Sequence, residues 1–300
     1  MKVFVLAGQS NMEGQAVVDL AGRNYNEGKG TLVSVLADPA KAAPFAHLRK
    51  ADGTWTVRDD VFVRYQRQNQ PLLAGPLGVG FAVYGGRHHF GPELEFGHVV
   101  GEALANPVLL VKTAWGGKSL YADFRPPSAG GAVGPCYSLM VGQIREAMAN
   151  MERDFPALQH RRAELAGFVW YHGWNDGCEP KNAVPEYEKN LVCLINDVRA
   201  EFHSPKLPVV IGELTGAWVD APESWAGIRR AQAAVAQRPE FRENVRFAAT
   251  RDFVRKAEDS PNPTHGHHEF GNAETYCLTG QALGRAMVEL AAPGKSAGGK

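Results

Sequence analysis

The chain has 300 residues, 44% hydrophobic and 21% charged, with 32 basic side chains balanced by 32 acidic ones. Neutral balance argues against a nucleic-acid or anionic-membrane partner, since both favour a basic surface. No apolar run reaches 18 residues, which argues against a membrane-spanning helix. The length suits one large α/β domain or two small ones, and no shift in composition marks a boundary.

Met1–Ala7 is too short for the apolar stretch of a signal peptide and leads straight into Gly8-Gln9-Ser10-Asn11, so Val3–Ala7 reads as a strand. A polar, Gly- and Pro-rich stretch follows over residues 20–91. Within it Trp55, Val57, Val61, Val63 and Tyr65 alternate as in a hairpin. It is expected as an insertion carried over a sheet and forming part of a substrate wall. Pro92–Ala105 has helical spacing at Leu94, Phe96, Val99, Val100 and Ala103. Beyond it, apolar strands are expected at Pro107–Lys112, Gly167–Tyr171, Leu207–Ile211 and Val245–Ala249. Helical patterns separate or follow them at Tyr137–Met151, Tyr187–Phe202, Ser224–Gln237 and Ala273–Leu290. Continuous rather than alternating apolar strands suggest a parallel sheet covered on both faces. The alternation of strand and helix points to a three-layer α/β/α sandwich, with 1–293 as a single domain and Gly294–Lys300 as a flexible tail. Cys136, Cys178, Cys193 and Cys277 lack CxxC spacing, which argues against zinc. Free buried thiols are expected ahead of disulfides.

Four stretches carry residue types suited to chemistry. Gly8-Gln9-Ser10-Asn11 places a serine just past a strand, where α/β folds bind ligands; read alone, Ser10 or Asn11 is more simply a helix cap. In Lys112–Leu120, Gly116 and Gly117 follow a strand and allow close backbone approach to a ligand, or form an ordinary turn. In Phe168–Gly177, Asn175 can donate to an oxyanion and Trp174 can form a wall, or Asn175 and Asp176 make an Asx turn. His172 reads as a packing residue, because Phe168 and Trp170 share its face. Glu258–Gly284 sets His265, His267 and His268 in a Pro/Gly loop before a helix, where a histidine can act as general base to a distant serine. A metal cluster there lacks a convincing partner set.

Taken in order, Ser, Gly, Asn and His in four successive loops resemble the SGNH (GDSL-like) hydrolase superfamily. The resemblance is strongest to the sialate O-acetylesterase-like carbohydrate esterases, including carbohydrate esterase family six and its acetylxylan esterases. Gly8-Gln9-Ser10-Asn11-Met12, Ala114–Ser119, Phe90–Gly97 and Trp170–Asp176 carry it. It implies a flavodoxin-like sandwich, with Ser10 as nucleophile and His268 as base; His265 and His267 are the alternatives. The oxyanion would be held by Ser10 N–H, Gly117 N–H and the Asn175 side chain. Gln9, Trp115, Lys118 and Trp174 are candidate substrate-binding residues. Tyr121 is a further candidate aromatic platform, and Arg125 could meet an anionic sugar.

Two departures from the family pattern stand out. His172 and Trp174 occupy positions where many relatives have Gln and Glu. The aspartate usual three residues before the catalytic histidine is absent, because position 265 is itself a histidine. Asp259 is the first candidate for the orienting acid and Glu258 the second; a Ser–His dyad is the third possibility. The expected activity is metal- and cofactor-free removal of acetyl groups from a carbohydrate, of acetylxylan or sialate type. The alternatives are a non-catalytic carbohydrate-binding module on the same fold, or a lipase or thioesterase of the same superfamily.

Overall fold

The computed structural model describes residues 1–215 and 223–291, so the expected tail at 294–300 lies outside the described residues. The strands are β1 (Lys2–Gly8), β2 (Ala16–Val17), β3 (Val61–Gln66), β4 (Leu72–Pro76), β5 (His89–Phe90), β6 (Val108–Ala114), β7 (Glu164–Tyr171), β8 (Val209–Gly212) and β9 (Val245–Ala248). The helices are α1 (Ser10–Glu13), α2 (Leu32–Ala37), α3 (Glu93–Ala103), α4 (Pro135–Ala149), α5 (Met151–Asp154), α6 (Trp174–Gly177), α7 (Ala183–Glu201), α8 (Glu223–Gln237) and α9 (Ala273–Ala291). Each expected apolar strand and helical pattern is present, shifted at its ends by a few residues.

Seven strands form one sheet in the order β4-β3-β6-β1-β7-β8-β9. All neighbouring pairs are parallel except β3–β4 at the edge. The central strands are apolar throughout because both faces are covered. In β1, Val3, Val5 and Ala7 enter one core with α4, α7 and α8. Phe4 and Leu6 enter the other, with α3 and α9. Burying one such Val, Leu or Phe side chain contributes roughly 1.5–3 kcal/mol. These layers are the expected α/β/α sandwich.

The segment 20–91 departs from expectation. Val61–Gln66 is not one arm of a hairpin with Trp55 and Val57. It is β3, a strand of the main sheet, parallel to β6 and antiparallel to β4. Trp55 instead makes an isolated bridge with Arg49. The segment is pinched at its base, where β2 pairs with β5 (Ala16 opposite Phe90, Val17 opposite His89).

Register builds the site. Gly8 lies opposite both Ala114 of β6 and Tyr171 of β7, and Tyr171 lies opposite Gly212 of β8. The carboxyl ends of the central strands therefore finish level. After β6 the chain crosses β1 and adds β7, β8 and β9 on its other side. Strand order reverses at β1, the position where open α/β sheets bind ligands. All four cysteines are free thiols, Cys136 and Cys277 being buried. Among the described residues no helix is long and apolar enough to cross a membrane.

Candidate active site

β1 must end in glycine. A Cβ on Gly8 would lie 2.1 Å from Tyr171 O, inside the neighbouring strand's backbone. The chain then turns through Gln9, whose carbonyl accepts from Met12 N (2.8 Å) and Glu13 N (2.9 Å), starting α1 at Ser10. Ser10 is 8% exposed.

Gln9, expected at the substrate, is a buried peg into the third loop. Its Oε1 accepts from Gly173 N and Trp174 N, both at 2.9 Å, and its Nε2 donates to Asn175 Oδ1 at 3.3 Å. With Oδ1 so engaged, the Nδ2 end of half-buried Asn175 is left to donate elsewhere.

The second loop runs against the first. Glu13 accepts from Gly116 N and from Tyr65 OH (3.1 Å). Burial is the largest influence on the Glu13 carboxyl and raises its pKa. A methyl group placed on Gly116 would sit 2.9 Å from Glu13 Oε2 and 3.5 Å from Ser10 Cβ. Gly117 follows at φ +71°, a left-handed backbone that glycine adopts without strain, with open space above it. Trp115 is corrected from platform to core: it is 2% exposed and stacks on Phe124 at 5.7 Å. Lys118 is half-buried and paired with Asp123 at 3.4 Å. Arg125 is committed to Glu186 at 3.0 Å and lies over the Tyr121 ring.

The third loop is fixed to the second through Asp176. This buried carboxyl accepts from Leu120 N and Tyr121 N, both at 2.9 Å. Burial pushes it up to about 7 despite those donors. His172 stacks on Trp170 at 4.5 Å and reaches Lys118 O through Nε2 at 2.9 Å. Burial lowers it to about 3, the setting of a packed neutral imidazole. Trp174 packs against Trp225 (5.2 Å) and His267 (5.9 Å).

The fourth loop, Gly266–Gly271, is clamped to the first by residues whose spacing in the sequence gave no signal. Asn11 Nδ2 donates to Glu269 Oε1 (3.0 Å) and to His267 O (3.3 Å). Asn11 Oδ1 accepts from Tyr276 OH at 2.7 Å, and Thr215 Oγ1 also bonds Glu269 Oε1. Glu269 and Phe270 have φ of +53° and +55°. Such conformations cost roughly 1–2 kcal/mol per residue and persist where surroundings impose them. The bonds to buried Glu269 are that constraint.

His268 sits in this loop, its ring 4.1 Å from that of His267. Burial first, then His267 and His265, lower its pKa to about 4. Among the described residues, no carboxylate is among the groups that shift it. Asp259 is not brought to it: the residue is exposed on a surface turn, Ala257–Asp259, and its backbone carbonyl bonds Asn272 Nδ2 at 3.4 Å. Glu258 is exposed on the same turn. Proline-rich chain before the histidines turns outward there rather than folding back. Ser10 Oγ makes no hydrogen bond to an imidazole among the described residues. Also among them, no group of three His, Cys, Asp or Glu side chains could hold a metal ion. A cavity of about 320 Å³ opens beside His268, walled by Gln15, Tyr25, Tyr84, His89 and Asn262.

Strand order and four loops at one sheet edge define a three-layer α/β/α sandwich with a mostly parallel sheet. The family profile of carbohydrate esterase, sialic acid-specific acetylesterase (SASA) matches residues 1–276, and the chain belongs to that family. Solved structures with the same fold include a protein from Arabidopsis thaliana, AT4G34215, at 16% identity and TM-score 0.60, covering 97% of this chain and 99% of that one. XAC1771, a carbohydrate acetylesterase from Xanthomonas citri, is similar at 17% identity and TM-score 0.57; the match covers 96% of this chain and 56% of that one. NanS is similar at 14% identity and TM-score 0.50, covering 83% and 77%. No curated protein matches the chain at the level of sequence.

Proposed function

We propose that this chain is a serine O-acetylesterase acting on an acetylated carbohydrate. The observation that carries the reading is the Gln9 peg. The residue before Ser10 holds the loop of Asn175, while Glu13, three positions after Ser10, holds the loop of Gly117. Nucleophile and oxyanion donors are thereby set by one short helix and its cap.

His268, neutral above about pH 4, takes the proton of Ser10 as Oγ attacks the acetyl carbonyl. The tetrahedral oxyanion lies among Ser10 N–H, Gly117 N–H and Asn175 Nδ2; one such donor contributes about 2.7–4 kcal/mol to lowering the barrier. His268 then protonates the sugar oxygen as its bond to the acyl carbon breaks. Water attacks acetyl-Ser10, gives its proton to His268, and acetate leaves as Ser10 regains a proton. We read the pair as a dyad, its loop held by Asn11 and Glu269. Family membership supports the acetylated carbohydrate as substrate.

The test is hydrolysis of p-nitrophenyl acetate in EDTA by the parent chain and by Ser10→Ala and His268→Ala. Each variant is expected to lose roughly 10³-fold or more in kcat, as removal of a member of a serine catalytic unit does. Full rate in Ser10→Ala would overturn the serine mechanism. His267→Ala and His265→Ala decide between the histidines. An acyl-length series separates a deacetylase, which loses rate beyond acetyl, from a lipase, which gains it.

A further inference from the structure

Among the described residues, the cavity beside His268 is lined by amides, phenols and imidazoles, without Lys, Arg, Asp or Glu. Gln15 is buried and accepts at Oε1 from Tyr84 OH at 2.9 Å, which pins an aromatic ring that is itself 48% exposed. That ring lies 4.5 Å from His89. Asn24, Tyr25, Asn262 and the exposed His265 complete the lining. Burial lowers His89, like His268, to about 4, so both are neutral near pH 7. Behind the wall lie two carboxylates and an imidazole, and His88 acts on His89 ahead of Asp19. Glu13 acts on Tyr84; Asp19, paired with His88 at 2.6 Å, acts on His89.

His268 is shared between this wall and the proposed catalytic groups. The sugar oxygen that leaves takes its proton from His268, so the sugar must lie against that ring. The volume of about 320 Å³ is at the small end of ligand cavities, which run roughly 300–1,000 Å³. An ionised carboxylate placed here would lose its water without gaining a cationic partner, a far costlier transfer than that of hydroxyls, which the amides and phenols can satisfy.

We propose that this cavity is the leaving-group subsite for an uncharged O-acetylated sugar, and that it discriminates against anionic sugars such as sialic acid. This inference rests on the serine-esterase reading. It makes Tyr84 and Gln15 specificity-determining residues.

The experiment follows acetate release from an O-acetylated neutral methyl glycoside, from O-acetylated N-acetylneuraminic acid, and from the methyl ester of the latter, which removes the charge at the expense of one added methyl group. The neutral glycoside and the methyl ester are expected to exceed the free acid about tenfold or more in kcat/KM, a difference typical of one uncompensated interaction. Tyr84→Ala should raise KM for the neutral glycoside. Asn24→Arg, at an exposed rim position, should narrow the gap between acid and methyl ester. A free acid that matches or exceeds its methyl ester overturns the proposal. If neither p-nitrophenyl acetate nor any sugar ester is turned over, the esterase reading fails and calorimetry with the deacetylated sugars decides the subsite. Binding of the neutral glycoside alone, lost in Tyr84→Ala, upholds it; binding of sialic acid, or of neither, overturns it.

Discussion

Asn11 and Glu269 stand 258 positions apart in the chain and are joined side chain to side chain at 3.0 Å in the buried floor between the first and last loops. One follows the proposed nucleophile and the other follows the proposed base, so this bond couples the placement of Ser10 to that of His268. Glu269→Ala should lower kcat about tenfold or more, and should cost roughly 1–3 kcal/mol of stability, because Asn11 and Thr215 lose a buried acceptor. Glu269→Gln keeps an acceptor oxygen and should recover part of kcat. Steady-state kinetics beside thermal melts check this. A Glu269→Ala enzyme that melts early but keeps its kcat would reduce the pair to a fold contact.

Gln9 offers a sharper test of loop coupling. Gln9→Ala frees Gly173 N–H, Trp174 N–H and Asn175 Oδ1 at once. It should reduce kcat toward the roughly 10²–10³-fold loss expected for Asn175→Ala, with little change in KM. The double variant should be barely worse than either single one, since both remove one donor from the same place.

Beneath α1, Lys112 and Glu93 form a fully buried pair at 2.8 Å, and Lys112 also donates to Glu13 O at 2.9 Å. Burial lowers the Lys112 pKa, while the charge of Glu93 opposes that. Lys112→Met should destabilise by roughly 3–5 kcal/mol, because it leaves a buried carboxylate unpaired. Lys112→Met with Glu93→Leu should regain much of the loss. Denaturant midpoints of the three variants decide this.

Acid should act on activity and stability through imidazoles of lowered pKa. His268 takes a proton only while neutral, so the acidic limb of kcat/KM should fall near pH 4 rather than 6.5. For stability, His172 and His98 titrate near 3 and His89 near 4 in the folded chain. The unfolded chain binds their protons first. Their contribution is present above about pH 6.5 and falls by about 1.4 kcal/mol per pH unit for each proton as pH drops toward 4. Asp176, raised to about 7, works the other way, losing its contribution as pH rises through that value. Denaturation between pH 5 and 7 should therefore show a shallower slope in His98→Phe and a steeper one in Asp176→Asn.

The parallel core was legible because Val3–Ala7 and its partners are apolar on both faces and the loops after them carry the expected residue types. β3 was misread because Arg64 interrupts its apolar run and makes it look half-exposed. In fact Arg64 is buried, bonded to Asp154 at 2.7 Å and Glu146 at 2.9 Å. Asn11 read as a cap and Gln9 as a substrate-binding residue because a polar side chain after a strand looks the same whether its partner is two residues away or 164. The Gly173 bond to Gln9 spans that last separation. Asp259 was placed by spacing alone, and spacing says nothing about which way a proline-containing loop turns.

The segment between β2 and β5 leaves and re-enters the protein through one pair of bridging strands, yet its middle is woven into the main sheet as β3 and β4. Tyr25 and Tyr84, which both line the cavity, hang from opposite ends of that fastened loop. The wall is tied into the fold at both ends and through its middle. On the proposed reading, selectivity would be altered by exchanging side chains on the cavity rim one at a time, leaving the loops of Ser10, Gly117 and Asn175 as they are.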